Sequence, residues 1–291
     1  MTRLPAARDV AELVRLPAAL TVPGDVWSGA AWAGAPAGSA ALMPLGSVLL
    51  YWSGMALNDW ADRDVDAVER PERVIPTGRV PAGTALAVAG ALGVAGVAVT
   101  AAVGGRRALR VSVPLALLIA TYDVVAKDSP AGPLVMASTR GLDVLLGAST
   151  APGAAAAPAA AVAVHTAGVT LLSRGEVHGT GQATGVAALA ATATAIGVLV
   201  TTTLRSDART RDRCAAVGFA ALYGAAVGVP QSRAVTVPDA ARARAATGAG
   251  IGGLTLLQAG WLAARGRLLP AVAVAGAGPV LRRAARAVSP T

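Results

Sequence analysis

Apolar residues in this chain run in long unbroken stretches, and do not alternate with polar ones at a strand or surface-helix period. A bilayer crossing needs about 20 mostly apolar residues. Nine stretches meet that need, at 16–36, 39–57, 82–103, 109–126, 131–150, 155–173, 181–204, 212–229 and 240–264, with a weaker tenth near 267–285. They are filled by Ala, Gly, Val and Leu, small residues that let membrane helices approach closely. Pro17, Pro23 and Asp25 interrupt the first stretch. An acid inside a span is costly and is expected to face the bundle interior. The pattern predicts an all-α polytopic membrane bundle of about nine transmembrane helices, one domain covering residues 1–291. Residues 1–12 carry Arg3, Arg8, Asp9 and Glu12 and no apolar run, so no cleaved signal peptide is expected. Residues 58–80 form a charged block far longer than a turn requires, and residues 230–246 read as an interfacial segment.

Composition narrows the class. Of 291 residues 54% are hydrophobic, 14% charged and 3% aromatic, and the mean hydropathy is +0.58. A soluble domain is about 25% charged, so this chain lacks the charges to cover a watery surface, and disorder is excluded as well. The net charge is +9. In a soluble protein such a balance would suggest nucleic acid. Here the arginines fall in short gaps between apolar runs, where they set topology and meet anionic headgroups, and no nucleic-acid partner is expected. The one lysine, Lys127, stands against 24 arginines, a usage suggesting a GC-rich bacterial genome. Cys214, the single cysteine, cannot form an internal disulfide.

The acids are clustered. Asp59, Asp62, Asp64, Asp66, Glu69 and Glu72 crowd into 14 positions. On a helix Asn58, Asp62 and Asp66, each four apart, share one face. Three oxygen ligands at a membrane edge suit a hard cation, and Mg²⁺ fits because it keeps water and phosphate in the rest of its shell. The plainer alternative is a solvated acidic face paired with Arg63, Arg70, Arg73 and Arg79. Against it stands the basic, proline-bearing run RPERVIPTGRV at 70–80, because a cation-bridged phosphate beside arginine forks is the chemistry of diphosphate recognition.

The stretch NDWADRDVDAVERPERVIPTGRV, residues 58–80, resembles the first aspartate-rich motif of the UbiA family of intramembrane prenyltransferases, NDxxDxxxD followed by RPxRPIPSGR. Other pieces agree in order along nearly the whole chain. RLPAALTVPGD at 15–25 resembles the family's first helix, and Tyr122 and Lys127 resemble its tyrosine–lysine motif. The resemblance implies about nine helices around a central cavity open to the cytoplasm and to lipid. It also implies an isoprenoid diphosphate donor held through Mg²⁺, and a prenyl group moved to a small-molecule acceptor.

The second aspartate motif of that family, DxxxD or DxxGD, is altered. Its place reads SRGEVHGTGQATG, residues 173–185. Glu176 replaces the first acid and Thr180 stands where the second would be, so a second metal site is expected to be weaker. Arg174 and His178 flank it as candidates for phosphate binding or acid–base work, His178 equally as a polar residue at a helix end. His165, inside an apolar span, reads as a hydrogen-bonded packing residue. The stretch SRGEVHG, with YDVVAK and GLDVLLG before it, resembles a divergent bacterial branch linked to Ebo-type gene clusters and cyclitol or sugar-like acceptors. Arg140 and Asp143, three apart in the fifth span, are placed to pair with each other, or to give the acceptor a polar wall through Asp143.

The resemblance thus implies ionisation of an allylic diphosphate, with metal at Asn58, Asp62, Asp66 and Glu176. Lys127, Arg70, Arg73 and Arg174 would bind its oxygens, and Tyr122 would orient the acceptor or stabilise the cation. An even number of helices separates the acidic regions, so both face one side. With ten spans, 15 basic residues fall on that side and nine on the other, which places the acids in the cytoplasm. With nine spans the tally is twelve each, and the resemblance alone carries the orientation. Three rivals remain: a terpene cyclase on the same scaffold, a transporter, and a non-catalytic binder suggested by the altered second motif.

Overall fold

The computed structural model describes residues 6–288. Arg3, and the side chains of Arg282, Arg283 and Arg286, which enter the charge tally, lie outside the described residues and side chains. The chain is helical throughout. The first expected span is split into α1 (Ala7–Leu13), a 3₁₀ turn (Leu16–Thr21) and α2 (Val22–Ala33), with a proline opening each of the last two. Proline lacks an amide hydrogen and fits only the first turn of a helix, so Pro17 and Pro23 restart the chain twice. There follow α3 (Ala37–Ala61), α4 (Arg63–Glu69), α5 (Ala82–Thr121), a π turn (Tyr122–Ala126), α6 (Gly132–Gly147), α7 (Ala156–Ser173) and α8 (Gln182–Arg205). The last quarter holds α9 (Thr210–Tyr223), a second π turn (Gly224–Gly228), α10 (Val229–Thr236), α11 (Ala240–Ala263) and α12 (Leu268–Val288). Among the described residues, five helical stretches are long and apolar enough to cross a membrane: Ala37–Ala61, Ala82–Ala126, Pro152–Ser173, Gln182–Arg205 and Thr210–Thr236.

The stretch Ala82–Ala126 is two antiparallel arms. In a straight helix Thr100 and Ser112 would lie about 18 Å apart, yet their hydroxyls are hydrogen-bonded at 2.8 Å. The reversal is at Gly105, whose φ of 59° and ψ of −150° are open to glycine and closed to residues with a Cβ. The spans expected at 82–103 and 109–126 are therefore both present. The weaker tenth stretch is also a helix, α12, folded back along α11 after the turn at 264–267, so that Gly278 approaches Gly252. The segment 230–246 is not a separate interfacial element. Its first half continues α9 through the π turn, and its second half begins α11, where the Asp239 side chain accepts from the Arg242 amide at 2.8 Å.

At one end the loops near 62, 127, 174 and 238 meet: Lys127 pairs with Asp62, Arg174 reaches the Ser129 carbonyl, and the Thr180 amide donates to the Pro238 carbonyl at 3.0 Å. At the other end Gly266 lies against Asp212 and Gly104 against Met43. Between them a buried polar strap ties the first half of the bundle to the last. Arg140 forms an ion pair with Asp25 at 2.7 Å and donates to the Thr21 carbonyl at 3.2 Å. Gln258 donates to Asp25 at 2.6 Å and to Thr21 at 2.8 Å. The expected Arg140–Asp143 pairing does not form. Asp25 of α2 takes the guanidinium, and Asp143, fully buried, accepts from Ser47 of α3. The close seating of α2 on α6 decides this, because it brings Asp25 across to Arg140. His165 is a packing residue as expected, its ring nitrogen 2.7 Å from the Tyr223 hydroxyl.

The α2–α6 seating depends on two glycines facing each other's helix. A Cβ on Gly29 would stand 1.8 Å from the Val144 carbonyl oxygen, and one on Gly147 would stand 1.9 Å from that of Val26. The obstacles are backbone atoms and cannot rotate away. Gly147→Ala should therefore lower stability by about 3 kcal/mol or more, the upper range for overpacking, read as a fall in melting temperature in detergent. Gly38→Ala, where an added Cβ meets nothing within 4 Å, should leave it unchanged.

Candidate active site

The acidic block sits where α3 ends. α3 stops at Ala61 and α4 starts at Arg63, but the four-residue ladder crosses the break: the Asp62 amide bonds the Asn58 carbonyl at 2.9 Å and the Asp66 amide bonds that of Asp62 at 2.8 Å. Asn58, Asp62 and Asp66 thus keep the common face read from their spacing. Asp64 points away, with its side chain 83% exposed beside Arg63.

Each acid on the inner face has a cation, except one. Asp62 pairs with Lys127, and Asp66 with Arg73, with Arg70 farther off at 3.8 Å. Arg73 also reaches Asp59 at 3.2 Å, and Arg15 meets Asp59 from the other side at 2.6 Å. Arg15 joins α1 to the 3₁₀ turn in a left-handed conformation, φ 45°, which costs a residue with a Cβ about 1–2 kcal/mol. Its ion pair with a nearly buried carboxylate holds it there. Asp123, on the π turn, is also buried, and it faces Asp59, Asp62, Arg15 and Lys127.

Sequence reasoning assigned no role to Arg15, Asp59 or Asp123. Asp59 and Asp66 are seven apart, two helical turns, so one arginine can bridge both. That spacing was the available signal for Asp59. Nothing in the sequence marks Arg15 as the partner, since 44 residues separate it from Asp59.

The π turn explains the tyrosine–lysine spacing. The Lys127 amide bonds the Tyr122 carbonyl five residues back, at 2.9 Å. The extra residue lets positions five apart share a face, where an α-helix needs four. It sends Lys127 to Asp62 and leaves Tyr122 half-buried beside a cavity of about 40 Å³, lined also by Tyr51, Gly54, Met55, Ile119, Asp123, Met136 and Thr139.

The altered second motif closes the same end from across the bundle. Arg174 donates to the carbonyls of Lys127, at 3.3 Å, and Ser129. Arg174 is thus spent on backbone, fixing the loop that carries Lys127. Arg244 holds the Glu176 carbonyl, while the Glu176 side chain is half-buried and His178 is exposed. Outside this ring Arg79 forks onto Glu12 and Asp9 at 2.7 and 2.8 Å, fastening α1 to the loop after α4. The hydrogen bond from Arg79 holds the Glu12 carboxyl below its ordinary range. Asp143 lies with Ser47, fully buried, and forms no part of the 40 Å³ cavity wall.

Among the described residues no three His, Cys, Asp or Glu side chains converge as a ready metal cluster, because ammonium and guanidinium groups stand between the acids. The donor set is nonetheless all oxygen, one amide and carboxylates, and fits a hard divalent ion such as Mg²⁺.

Comparison with known proteins identifies the family and the fold. The UbiA prenyltransferase family matches residues 20–289. Digeranylgeranylglyceryl phosphate synthase of Natronomonas pharaonis is 32% identical over 149 residues, 50% of this chain and 53% of that protein. Bacteriochlorophyll synthase 33 kDa chain of Cereibacter sphaeroides is 41% identical over 61 residues, 21% of this chain and 19% of that one. The chain thus spans about half, or less, of the curated relatives it matches. Among solved structures, a UbiA homolog from Aeropyrum pernix K1 is similar with TM-score 0.64 and 20% identity over 83% of this chain and 96% of that one. A UbiA homolog from Archaeoglobus fulgidus, bound to DMAPP and Mg²⁺, is similar with TM-score 0.62 and 13% identity over 85% and 99%. These likenesses show the fold, and the family match covers nearly the whole sequence: the chain is a multi-pass, all-helical membrane protein and belongs to the UbiA prenyltransferase family.

Proposed function

We propose that the chain ionises an isoprenoid diphosphate in the presence of Mg²⁺ and transfers the prenyl group to a small acceptor, aromatic or cyclitol-like. The observation that carries this is the meeting of three distant segments at one end of the bundle: the Asp62 carboxylate on the Lys127 ammonium, and Lys127's own loop on Arg174. A relative of the same fold was solved with DMAPP and Mg²⁺, which supports the donor class. Asn58, Asp62 and Asp66 would hold the metal, with Glu176 of the second motif as a further ligand. Bound Mg²⁺ supplies charge neutralisation for the departing diphosphate. Arg73, Arg70 and Lys127 exchange their carboxylate partners for phosphate oxygens, and Arg174 keeps Lys127 in place. Tyr122 faces the reacting carbon from the cavity side. Met55, Ile119 and Met136 on the cavity wall would limit the water that can reach an allylic cation. His178, exposed at the turn, offers a hydrogen bond to phosphate at the mouth. Counted with ten spans, the basic residues favour the motif side, and this supports a plasma-membrane protein with its motif end in the cytoplasm.

Asp66→Asn should abolish prenyl transfer by detergent-solubilised protein given Mg²⁺ and labelled C10 to C20 diphosphates, while Asp64→Asn, on the solvent side, should retain it. Equal loss in both would overturn the shared-face assignment. Glu176→Gln removes charge but keeps shape, and should slow turnover about a hundredfold, the usual cost of one electrostatic contact to a transition state, with a raised Mg²⁺ requirement. For orientation, Glu69→Cys in a Cys214→Ser background should react with a membrane-impermeant maleimide only in inside-out vesicles. Labelling of intact cells would reverse the topology.

A further inference from the structure

Asp123 differs from every other buried acid. Asp59 has two arginines, Asp66 has Arg73, Asp25 has Arg140 and Gln258, Asp143 has Ser47, and Asp212 has Arg211 at 3.7 Å. Asp123 is 7% exposed, and among the described residues no donor or cation is within bonding distance of its carboxylate. Four cations at this end, Arg15, Arg70, Arg73 and Lys127, pair with Asp59, Asp62 and Asp66, and none of them pairs with Asp123. A buried carboxylate without a partner costs several kcal/mol, so its retention needs a use. Its placement suggests one. The carboxylate lines the 40 Å³ cavity together with Tyr51, Tyr122 and Thr139. Room is made for it by Gly54, on which a Cβ would stand 3.0 Å from Asp123 Oδ2. The charges that act on it are those of the ion-paired cluster of Asp59, Asp62, Arg15 and Lys127. A cavity of this size holds about one water or one hydroxyl group.

We propose that Asp123 is the catalytic base that takes the proton of a hydroxyl acceptor, which attacks through its oxygen. The inference rests on the transfer reading above. In the step, the C1–O bond of the prenyl diphosphate breaks and its electron pair leaves on the diphosphate. A lone pair of the acceptor oxygen forms the new bond to C1, and the O–H proton passes to the Asp123 carboxylate, later to be lost to water at the motif end. The position suits this order. C1 lies next to the leaving group, so a base must sit beside the diphosphate cluster but on the cavity side of it, and Asp123 is the unpaired acid there. The acceptor class that follows is an alcohol or a phenol, in preference to a carbon nucleophile.

The test uses purified full-length protein, Mg²⁺ and geranylgeranyl diphosphate. The hydroxyl probes are 4-hydroxybenzoate, myo-inositol and a monoalkylglycerol phosphate. Binding is measured separately with the unreactive S-thiolodiphosphate analogue. Asp123→Asn should bind the analogue with wild-type affinity and Mg²⁺ dependence while O-prenyl product falls by about a hundredfold or more, the usual contribution of a general base. Formate should restore part of the product formation by Asp123→Ala, an effect that a packing role would not give. Loss of analogue binding in Asp123→Asn would place the residue in the diphosphate site and overturn the proposal. Undiminished O-prenylation by that variant, or wild-type products joined only through carbon, would also overturn it while leaving prenyl transfer itself intact. A wild type that releases no diphosphate with any probe would remove the transfer reading, and this inference with it.

Discussion

Charge neutralisation at the edge of a low-dielectric bundle is the constraint around which this molecule is arranged. A carboxylate at that depth is costly without a cation, and of the four gathered at one end three, Asp59, Asp62 and Asp66, have one. The cations come from far along the chain. Arg15 precedes the first membrane helix, Arg73 follows the acids on the return loop, and Lys127 ends the long α5 hairpin. The pairs of Arg15 and Lys127 therefore also join elements distant in sequence, 44 and 65 residues apart. The acids proposed to hold the metal are also the ones whose ion pairs close that end of the bundle.

A site made this way is held in check until its ligand arrives. Lys127 and Arg73 rest on the acids that the proposed metal would use. Both are the kind of donor that phosphate oxygens also attract. Ligand binding is then an exchange of partners in which little bare charge is ever exposed. The backbone around it is correspondingly fixed. Arg174 grips the Lys127 loop, Arg79 fastens α1 to the loop beyond the acids, and Arg15 holds a left-handed conformation against its ion pair. Deeper in the bundle the Asp25–Arg140–Gln258 strap performs the structural counterpart. It satisfies two buried charges with each other, and ties α2 to α6 and α11.

The altered second motif fits into the same frame. Where relatives are expected to carry two acids, this chain has Glu176 and Thr180. Its arginines serve the backbone: Arg174 on the Lys127 and Ser129 carbonyls, Arg244 on that of Glu176. They thereby fix the loop that carries Lys127 and the turn that carries Glu176.

Much of this was legible in the residues alone. Long apolar runs with too few charges for a watery surface dictate membrane helices, because unpaired backbone groups are not tolerated in lipid. The i, i+4 spacing of Asn58, Asp62 and Asp66 is local helical geometry, and survived the small break at Asp62. What lay beyond sequence was pairing at long range. Arg140 has Asp143 one turn away and Asp25 more than a hundred residues away, and only the glycine-to-backbone seating of α2 on α6 decides for Asp25. The hairpin at Gly105, the splitting of the first span and the isolation of Asp123 are likewise outcomes of which faces meet. Sequence spacing sets the contacts within one helix; which helix is nearest, and so which buried charge is left without a partner, is decided only when the helices pack.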